Sequence, residues 1–414
     1  MPTDRRRRAG RDGVTTEKPK HVVSSAEDSA VENSPSEEFS NQSSSSNMFW
    51  KALNVGKYVV LLLLLPAILN HAALLREAQY LIPPGGELYD IGWGQKLLLS
   101  CNGTGPPTVL LDAPTGMSSD VWYFIQPELA KVTRVCTYDR AGIGFSERAP
   151  RNASDSNNSL MGDSRAEEFT VERMVDDLHQ LLTVSSDQPK PFIFVGSELG
   201  SLVARFYTQL YENEVSDLIL IDPLVEGLFS IDKGIWGKFW FDYLIPSYQS
   251  LQLSAAVGAS RIGLLLNLMN QPMKNSDLPE DVDYRQKYLM CQPHHLSTVV
   301  DEHYFINASL SQISTAWRIK PFPKHVGVTV VTGNYYDEQL PNTLNKAWAK
   351  AQQHLISNLH PGSKHILLNG ADHTMPYRNP KALLEPIRRI VRQRKLSLSN
   401  GKPKRKIEFG TVDR

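Results

Sequence analysis

The side chains with the clearest potential for chemistry lie in a short glycine-flanked segment, Gly196-Ser-Glu-Leu-Gly200. The segment follows a strand-like run, Phe192–Val195, and precedes a stretch with apolar residues at helical spacing. Its two glycines suit a tight turn, and the turn carries a hydroxyl on Ser197 and a carboxyl on Glu198. A histidine, His373, follows in a late loop. Hydroxyl, carboxylate and imidazole groups serve proteins as nucleophiles and as general acids and bases.

The composition excludes several other classes of function. The 414 residues include 44 basic and 44 acidic side chains, and the zero formal charge argues against a protein that coats nucleic acid. The three cysteines, Cys101, Cys136 and Cys291, are too few and too scattered for a disulfide scaffold. No His/Cys cluster has zinc-ligand spacing, and there is no Gly-rich phosphate loop or dinucleotide fingerprint. We therefore expect neither a metal nor a cofactor.

The elements that must position these groups alternate along residues 86–394. Strand-like runs occur at Gln95–Cys101, Thr108–Asp112, Arg134–Tyr138, Phe192–Val195, Leu218–Asp222, Val328–Thr332 and His365–Leu368. Between them lie amphipathic helices, such as the one that carries Val171, Met174 and Leu178 on one face. This alternation predicts an α/β fold, with a mostly parallel sheet flanked by helices.

Five stretches, taken in order, resemble motifs of the α/β-hydrolase superfamily. They are Val109–Trp122, Arg134–Ser146, Phe194–Ala204, Asp217–Pro223 and Gly370–Met375. The resemblance implies an α/β-hydrolase fold over residues 86–394, with a twisted sheet and an inserted helical cap at residues 227–323. In this family the cap shapes the pocket, which would take a small apolar or acyl ligand. A plain hydrophobic lid would have the same aromatic-rich composition.

The resemblance also implies a nucleophile position. In this family the nucleophile is a serine at the centre of a G-x-S-x-G turn, where the strained backbone exposes its side chain. Gly196 and Gly200 match the two glycines, but the central residue is Glu198. Ser197 lies one residue early and Ser201 lies inside the following helix, so neither serine matches the nucleophile position.

The remaining catalytic positions are less altered. By resemblance, His373 is the general base and Asp337 is the best match for the acid that orients it. Glu338 and Asp222 remain open as alternative acids.

Two backbone N–H groups would form the oxyanion hole of such a site, one from Leu199 and one from the loop at Thr115. In that loop the family's His-Gly pair is replaced by Ala113-Pro114, and proline has no N–H to donate.

A glutamate at the nucleophile position leaves three interpretations open. In the first, ionised Glu198 pairs with protonated His373 and fills the oxyanion hole, and the protein is a binding pseudoenzyme. In the second, Glu198 or a displaced serine is the nucleophile of an ester or epoxide hydrolase, with Tyr243 and Tyr248 of the cap polarising the epoxide. In the third, the protein is a structural or adaptor protein in which the pocket has no role.

The two ends of the chain differ from this domain. Residues 1–57 are poor in large apolar residues and predict a disordered tail. Residues 58–75 carry no formal charge and predict a transmembrane helix that acts as an uncleaved signal-anchor. A cleaved signal peptide or a buried core helix is the alternative. Residues 395–414 predict a basic C-terminal tail.

The charges that flank the predicted transmembrane helix favour a type II orientation. Lys51 and Lys57 precede the helix and only Arg76 follows it closely, which places the tail in the cytosol. N-glycosylation sequons begin at Asn102, Asn152, Asn157 and Asn307 in the domain that follows. We expect a single-pass glycoprotein of the secretory pathway, in the endoplasmic reticulum or plasma membrane, whose protein partners the sequence does not identify.

Overall fold

The computed structural model describes residues 42–148, 169–185, 188–273, 277–334, 337 and 340–400. The chain divides into two units, residues 1–58 and 59–414. In the first unit the described residues, 42–58, are helical. The sequons at Asn152 and Asn157 and the alternative acid Glu338 lie outside the described residues.

An eight-stranded sheet organises the second unit. Its strands are β1 (Gly86–Asp90), β2 (Lys96–Asn102), β3 (Thr108–Asp112), β4 (Arg134–Tyr138), β5 (Phe192–Ser197), β6 (Val215–Ile221), β7 (Gly327–Gly333) and β8 (Lys364–Leu368). Their spatial order is β1-β2-β4-β3-β5-β6-β7-β8. β2 is antiparallel to both of its neighbours, and every pair from β4 to β8 is parallel. The predicted α/β fold with a mostly parallel sheet is confirmed.

The described residues form thirteen α-helices, some of which cover the two faces of this sheet. They are α1 (Gln42–Glu77), α2 (Gln126–Ala130), α3 (Val171–Val184), α4 (Leu199–Leu210), α5 (Ile235–Phe239), α6 (Ile245–Ala256), α7 (Ala259–Leu265), α8 (Glu280–Met290), α9 (Pro293–Tyr304), α10 (Ile306–Ile319), α11 (Asn342–His354), α12 (Met375–Arg378) and α13 (Pro380–Asn400). Leu110 and Phe194 pack with α3 and α4 in one core, whereas Val109 and Ile193 pack with α2 and α13 in the other. Successive strand residues point to opposite faces, so a sheet covered on both faces needs continuous apolar runs.

The chain between β6 and β7 forms the cap, residues 227–323, which carries α5 to α10. Two buried tryptophans hold it in place. The indole N–H of Trp240 donates to the carbonyl of His303 at 2.9 Å, and that of Trp236 donates to the carbonyl of Leu344 in α11 at 2.8 Å. Because these indoles are both buried and hydrogen-bonded, they fix the cap helices to one another and to the sheet domain.

The N-terminal helix begins earlier than the sequence indicated. α1 starts at Gln42, so residues 42–57, expected in the disordered tail, are helical instead of irregular. Within α1, the segment Met48–Glu77 is long and apolar enough to cross a membrane. Leu62 is 72% exposed, which does not fit the alternative of a buried core helix for this part of α1.

The last turns of α1 are in contact with protein. Asn70, Ala73 and Leu74 are buried, although all three lie in the predicted transmembrane span. Leu74 packs in a small core with Tyr288 and Leu289 of α8. One side of the last turns of the predicted span therefore packs on the cap, whereas Leu75 on the other side is 62% exposed.

The C-terminal helix also extends beyond its expected end. α13 continues to Asn400, whereas the basic tail was expected to begin at residue 395. The ammonium group of Lys395 donates to the carbonyl of Val132, and Arg394 pairs with Asp217 at 2.8 Å. These basic residues anchor the helix to the domain, so composition alone misplaced the boundary. Residues 401–414 lie outside the described residues.

Cys101 and Cys136 form a disulfide bond. They lie directly opposite each other on the antiparallel strands β2 and β4. The sequence separation of 35 residues hid this pairing, because only the register of the two strands brings the cysteines together. Cys291 is a buried free thiol.

Candidate active site

The turn between β5 and α4 has the strained backbone that exposes a side chain. Glu198 has φ +46° and ψ −109°, a conformation that residues with a Cβ rarely adopt. A Cβ on Gly196 would lie 2.3 Å from the carbonyl carbon of Gly200, and a Cβ on Gly200 would lie 2.6 Å from the carbonyl oxygen of Asp112. Both glycines are therefore required by the close crossing of α4 over the strands, as the motif predicts.

Neither serine of the turn faces the cavity. The side chain of Ser197 is fully buried, and its hydroxyl has no hydrogen-bond partner among the described residues. Ser201 is equally buried, and its hydroxyl donates to the carbonyl of Gly196 at 2.6 Å. Glu198 is the residue of this turn that lines the cavity. A displaced serine nucleophile has no support in this geometry.

The carboxyl group of Glu198 is buried among polar groups. Burial is the main cause that raises its pKa above the ordinary value, and the negative charge of Asp222 adds to this effect. The positive charge of His373 and the neighbouring polar groups of Thr115 act in the opposite direction. The Glu198 carboxylate thus lies beside the loop expected to supply an oxyanion-hole donor. Leu199, the other predicted donor, lies in the first turn of α4.

Two acids face His373. The Nε2 atom of His373 is 3.8 Å from Oδ2 of Asp337, whose backbone N–H donates to Asn345 Oδ1 at 3.2 Å. Asp222 is buried at the end of β6, where the indole of Trp348 donates to its carboxylate at 2.8 Å. Burial raises the pKa of Asp222, and the charge of His373 lowers it. Both Asp337 and Asp222 therefore remain candidates for the orienting acid.

A buried ionic network that the sequence reading missed supports the Thr115 loop. Arg140 donates to Asp112 Oδ1 at 2.6 Å, to Glu302 Oε1 at 2.7 Å and to the carbonyl of Ala113 at 2.8 Å. The second oxygen of Glu302 accepts from the backbone N–H of Gly116 at 2.7 Å. Contacts on both sides of Thr115 thus hold its N–H in place. Arg140 lies in a motif that the sequence reading recognised, but its partner Glu302 lies in the cap, 162 residues away.

A cavity of about 850 Å³ lies between the sheet and the cap. Its polar lining includes Thr115, Glu198, Asp222, Asp337 and His373. The aromatic lining residues include Trp236, Phe239, Trp240, Tyr248 and Trp348. Burial and the charge of Glu198 raise the pKa of Tyr248 to about 12, so its hydroxyl is protonated at pH 7. Tyr243 is 63% exposed and does not line the cavity. The predicted pair of cap tyrosines is therefore reduced to one, because a single helix face points inwards.

Two further cavity residues, His295 and His303, were not singled out from the sequence. Burial lowers the pKa of each to about 4, so both are neutral at pH 7. The Nδ1 atom of His303 is 2.7 Å from the carbonyl of Val299, and its ring lies 4.5 Å from that of Tyr248. Both histidines lie in α9, at positions that match no catalytic motif in the sequence.

Across the described residues, no group of three or more His, Cys, Asp or Glu side chains could hold a metal ion. The sequon residues Asn102 and Asn307 both have exposed side chains.

Known proteins share this architecture. A family model described as alpha/beta hydrolase fold matches residues 106–250. Over 121 residues the chain is 26% identical to the uncharacterized protein YqjL of Bacillus subtilis (strain 168), a match that covers 29% of this chain and 41% of that relative. The chain thus spans less than half the length of this relative.

Two solved structures have the same fold. The "putative epoxide hydrolase" from Pseudomonas aeruginosa gives a TM-score of 0.53 at 17% identity, covering 77% of this chain and 99% of that one. The "putative lipase" from Acinetobacter baumannii AYE gives a TM-score of 0.52 at 15% identity, and the match covers 79% of this chain and 97% of that one. Identities this low establish the fold alone. The protein has the α/β-hydrolase fold. The family model matches part of the same domain, residues 106–250.

Proposed function

We propose that the protein is a membrane-anchored α/β-hydrolase-fold protein that lacks serine-hydrolase activity and binds a small apolar or acyl ligand in its cavity. The observation that carries this proposal is the position of the Glu198 carboxylate. It takes the place of the serine and lies beside Thr115, in the loop that would supply a donor to a substrate oxyanion. A substrate carbonyl then finds a carboxylate at this point instead of a nucleophilic hydroxyl.

A second candidate function is favoured by the groups that remain around Glu198. A carboxylate can itself attack an epoxide carbon, forming an ester while the ring C–O bond breaks and Tyr248 donates its proton to the oxygen released. Water deprotonated by His373 would then hydrolyse the ester to the diol, and the Thr115 N–H would stabilise the tetrahedral oxyanion. His373 would return its proton to Tyr248 through solvent. One structural neighbour, from Pseudomonas aeruginosa, is described as a "putative epoxide hydrolase", which is consistent with this candidate.

Fluorophosphonate labelling tests the first candidate. We expect no labelling of the detergent-solubilised wild type, because Ser197 and Ser201 are buried. Glu198→Ser should gain labelling, since it restores a hydroxyl beside His373, and adding His373→Ala should abolish it. Robust wild-type labelling that is lost in Ser197→Ala would show that a serine is the nucleophile and would refute the proposal.

Isotope incorporation separates the two candidates. In a single turnover of styrene oxide in H₂¹⁸O, a carboxylate nucleophile gives its own oxygen to the diol and takes up ¹⁸O. Mass spectrometry of the peptide containing Glu198 reads this directly. An unlabelled Glu198 with no diol formed supports the binding role, whereas ¹⁸O in Glu198, absent in Tyr248→Phe, establishes the hydrolase.

The proposed membrane anchoring rests on α1. The disulfide between Cys101 and Cys136 supports a luminal orientation of the domain, because disulfides persist in oxidising compartments. We expect the protein to stay in the membrane pellet through carbonate extraction. Glycosidase treatment should shift its gel mobility through the sequons at Asn102, Asn152, Asn157 or Asn307. Full solubility after carbonate would exclude anchoring, and retention without a mobility shift would contradict the luminal orientation.

A further inference from the structure

An exposed apolar surface lies on α6, α7 and the turn after α7. We call it the apolar cap surface, and its residues are Leu253, Val257, Ile262, Leu265, Leu266 and Leu268. Leu265, Leu266 and Leu268 are 76%, 62% and 77% exposed. From Ile245 to Met273 the sole charged residue is Arg261. A contiguous apolar surface of this kind, without charges, is typical of a site that contacts a membrane or another protein.

The one charge of this region is neutralised by α1. The guanidinium of Arg261 forms two hydrogen bonds with the carboxylate of Glu77, at 2.7 and 2.8 Å. Its Nε atom donates to Oδ1 of Asn70 at 2.8 Å. Arg261 therefore joins the apolar cap surface to α1, and its charge is offset by an acid at the end of that helix.

The backbones of the two elements also touch. A Cβ on Gly258, between α6 and α7, would lie 2.3 Å from the carbonyl oxygen of Pro66 in α1. The amide of Asn70 donates to the carbonyls of Ala255 and Cys291, at 3.0 and 2.9 Å. Since Gly258 has φ +76°, a larger residue would be both strained and obstructed. The cap is thus built to take α1 at close range.

This contact makes the apolar cap surface continuous with the exposed apolar side of α1. On α1, Leu62, Ile68 and Leu69 are 72%, 61% and 58% exposed next to the contact. α1 contains the segment that is long and apolar enough to cross a membrane. Whatever medium surrounds those α1 residues also surrounds the leucines beside them, which favours lipid over a second protein as the partner of the cap.

The apolar cap surface also leads to the cavity. Asn270, Gln271, Pro272 and Met273 line the cavity, and they follow Leu268 closely in the chain. A cap held against a bilayer on this side would therefore bring one wall of the cavity to the membrane.

We propose that the apolar cap surface lies in the membrane interface beside α1, so that the cavity receives its ligand from the bilayer as a lipid-soluble molecule. The inference rests on the proposed membrane anchoring of α1. Interfacial helices bury their apolar face by roughly 5–10 Å at the boundary between headgroups and acyl chains. α6 and α7 would lie at that depth, whereas α1 would continue through the bilayer.

Depth-dependent fluorescence quenching tests the proposal on the full-length protein in phosphatidylcholine vesicles. A cysteine is introduced in Leu265→Cys, in Leu62→Cys of α1 and in Leu396→Cys of α13, and each is labelled with the environment-sensitive fluorophore NBD. Leu396 is a matched control because it is also a helical leucine, 63% exposed. The unsubstituted protein measures background labelling of Cys291. Exposed leucines are chosen so that the variants fold.

We expect brominated phosphatidylcholine to quench most of the fluorescence at position 265 and at position 62, with no loss at position 396. Bromines near the headgroup should quench position 265 more strongly than bromines deep in the chains. Quenching at position 62 without quenching at position 265 would overturn the inference and leave anchoring intact. A blue-shifted but unquenched signal at position 265 would also overturn it, because it would show a protein partner. No quenching at either position would refute the anchoring itself.

Discussion

Two arginines that each bind a carboxylate show how differently this molecule uses charge. Arg140 lies at the ends of the strands with a side chain 3% exposed, and its partners Asp112 and Glu302 are completely buried. Arg261 lies at the contact of the cap with α1, where its side chain is 25% exposed and that of Glu77 is 35% exposed. The first network holds the loop beside Glu198, and the second holds a helix beside an apolar surface.

The comparison indicates that rigidity is concentrated at the strand ends. A buried charge pair loses hydration that only good geometry can offset, so its partners are constrained in position. A half-exposed pair keeps part of its hydration and contributes little to stability. The site that carries Glu198 is therefore fixed by the sheet domain, whereas the contact between cap and α1 depends more on apolar packing than on its ion pair.

The largest effect is expected from removing the buried arginine. Arg140→Met should lower the free energy of unfolding by about 3–5 kcal/mol, because it leaves Asp112 and Glu302 as uncompensated buried charges. Arg261→Met should cost only about 1 kcal/mol or less, since its pair is partly exposed. Denaturant unfolding of the full-length protein in detergent, followed by tryptophan fluorescence, measures both. Equal losses would contradict the difference drawn between the two networks.

A smaller effect with a distinct pH dependence is expected at Glu198. Because its pKa is raised in the folded state, the native protein binds the Glu198 proton more tightly than the unfolded chain does. Stability from this group is present at low pH and is lost as the pH rises through the folded pKa. Glu198→Gln should therefore be more stable than wild type at pH 7.5, because the neutral amide avoids the cost of burying the charged carboxylate. The gain should disappear near pH 4.

Glu212→Gln is the matched control, because Glu212 is on the surface and its pKa is lowered by its hydrogen bond with Lys320. We expect its unfolding free energy to be nearly unchanged. A Glu198→Gln variant that is less stable than wild type at pH 7.5 would instead show that ionised Glu198 is held by protonated His373, as the sequence reading supposed.

The smallest effect concerns the two serines of the turn. Ser201→Ala should lower the unfolding free energy by about 1 kcal/mol, because it removes the hydrogen bond to the buried carbonyl of Gly196. Ser197→Ala should leave it unchanged or raise it by up to about 1 kcal/mol, because the Ser197 hydroxyl is buried without a partner among the described residues. If Ser197→Ala were instead the more destabilising substitution, Ser197 would make the stabilising hydrogen bond, and the turn would be shifted by one residue. Thermal unfolding of the two variants in parallel checks this.

Most of the fold was predictable, because it depends on patterns within short stretches of chain. Apolar runs bounded by turn residues identified all strands except β1, and the glycines at 196 and 200 located the strained turn. β1 was missed because only its pairing with β2 makes it a strand. The start of α1 and the end of α13 were misplaced for a related reason. Serine-rich or basic composition suggested tails, but contacts with the rest of the chain extend α13.

The sequence by itself determined the fold class, the glutamate at the nucleophile position and the apolar run of α1. Each of these is a property of residue type and local spacing. Tertiary structure alone decided which groups meet: Arg140 with Glu302, Asn70 with Ala255, and Cys101 with Cys136. It also decided that Tyr248 lines the cavity with Glu198 and that Tyr243 does not. These pairings depend on strand register, cap docking and helix rotation, and a single sequence encodes them only through the energy of the whole packed chain.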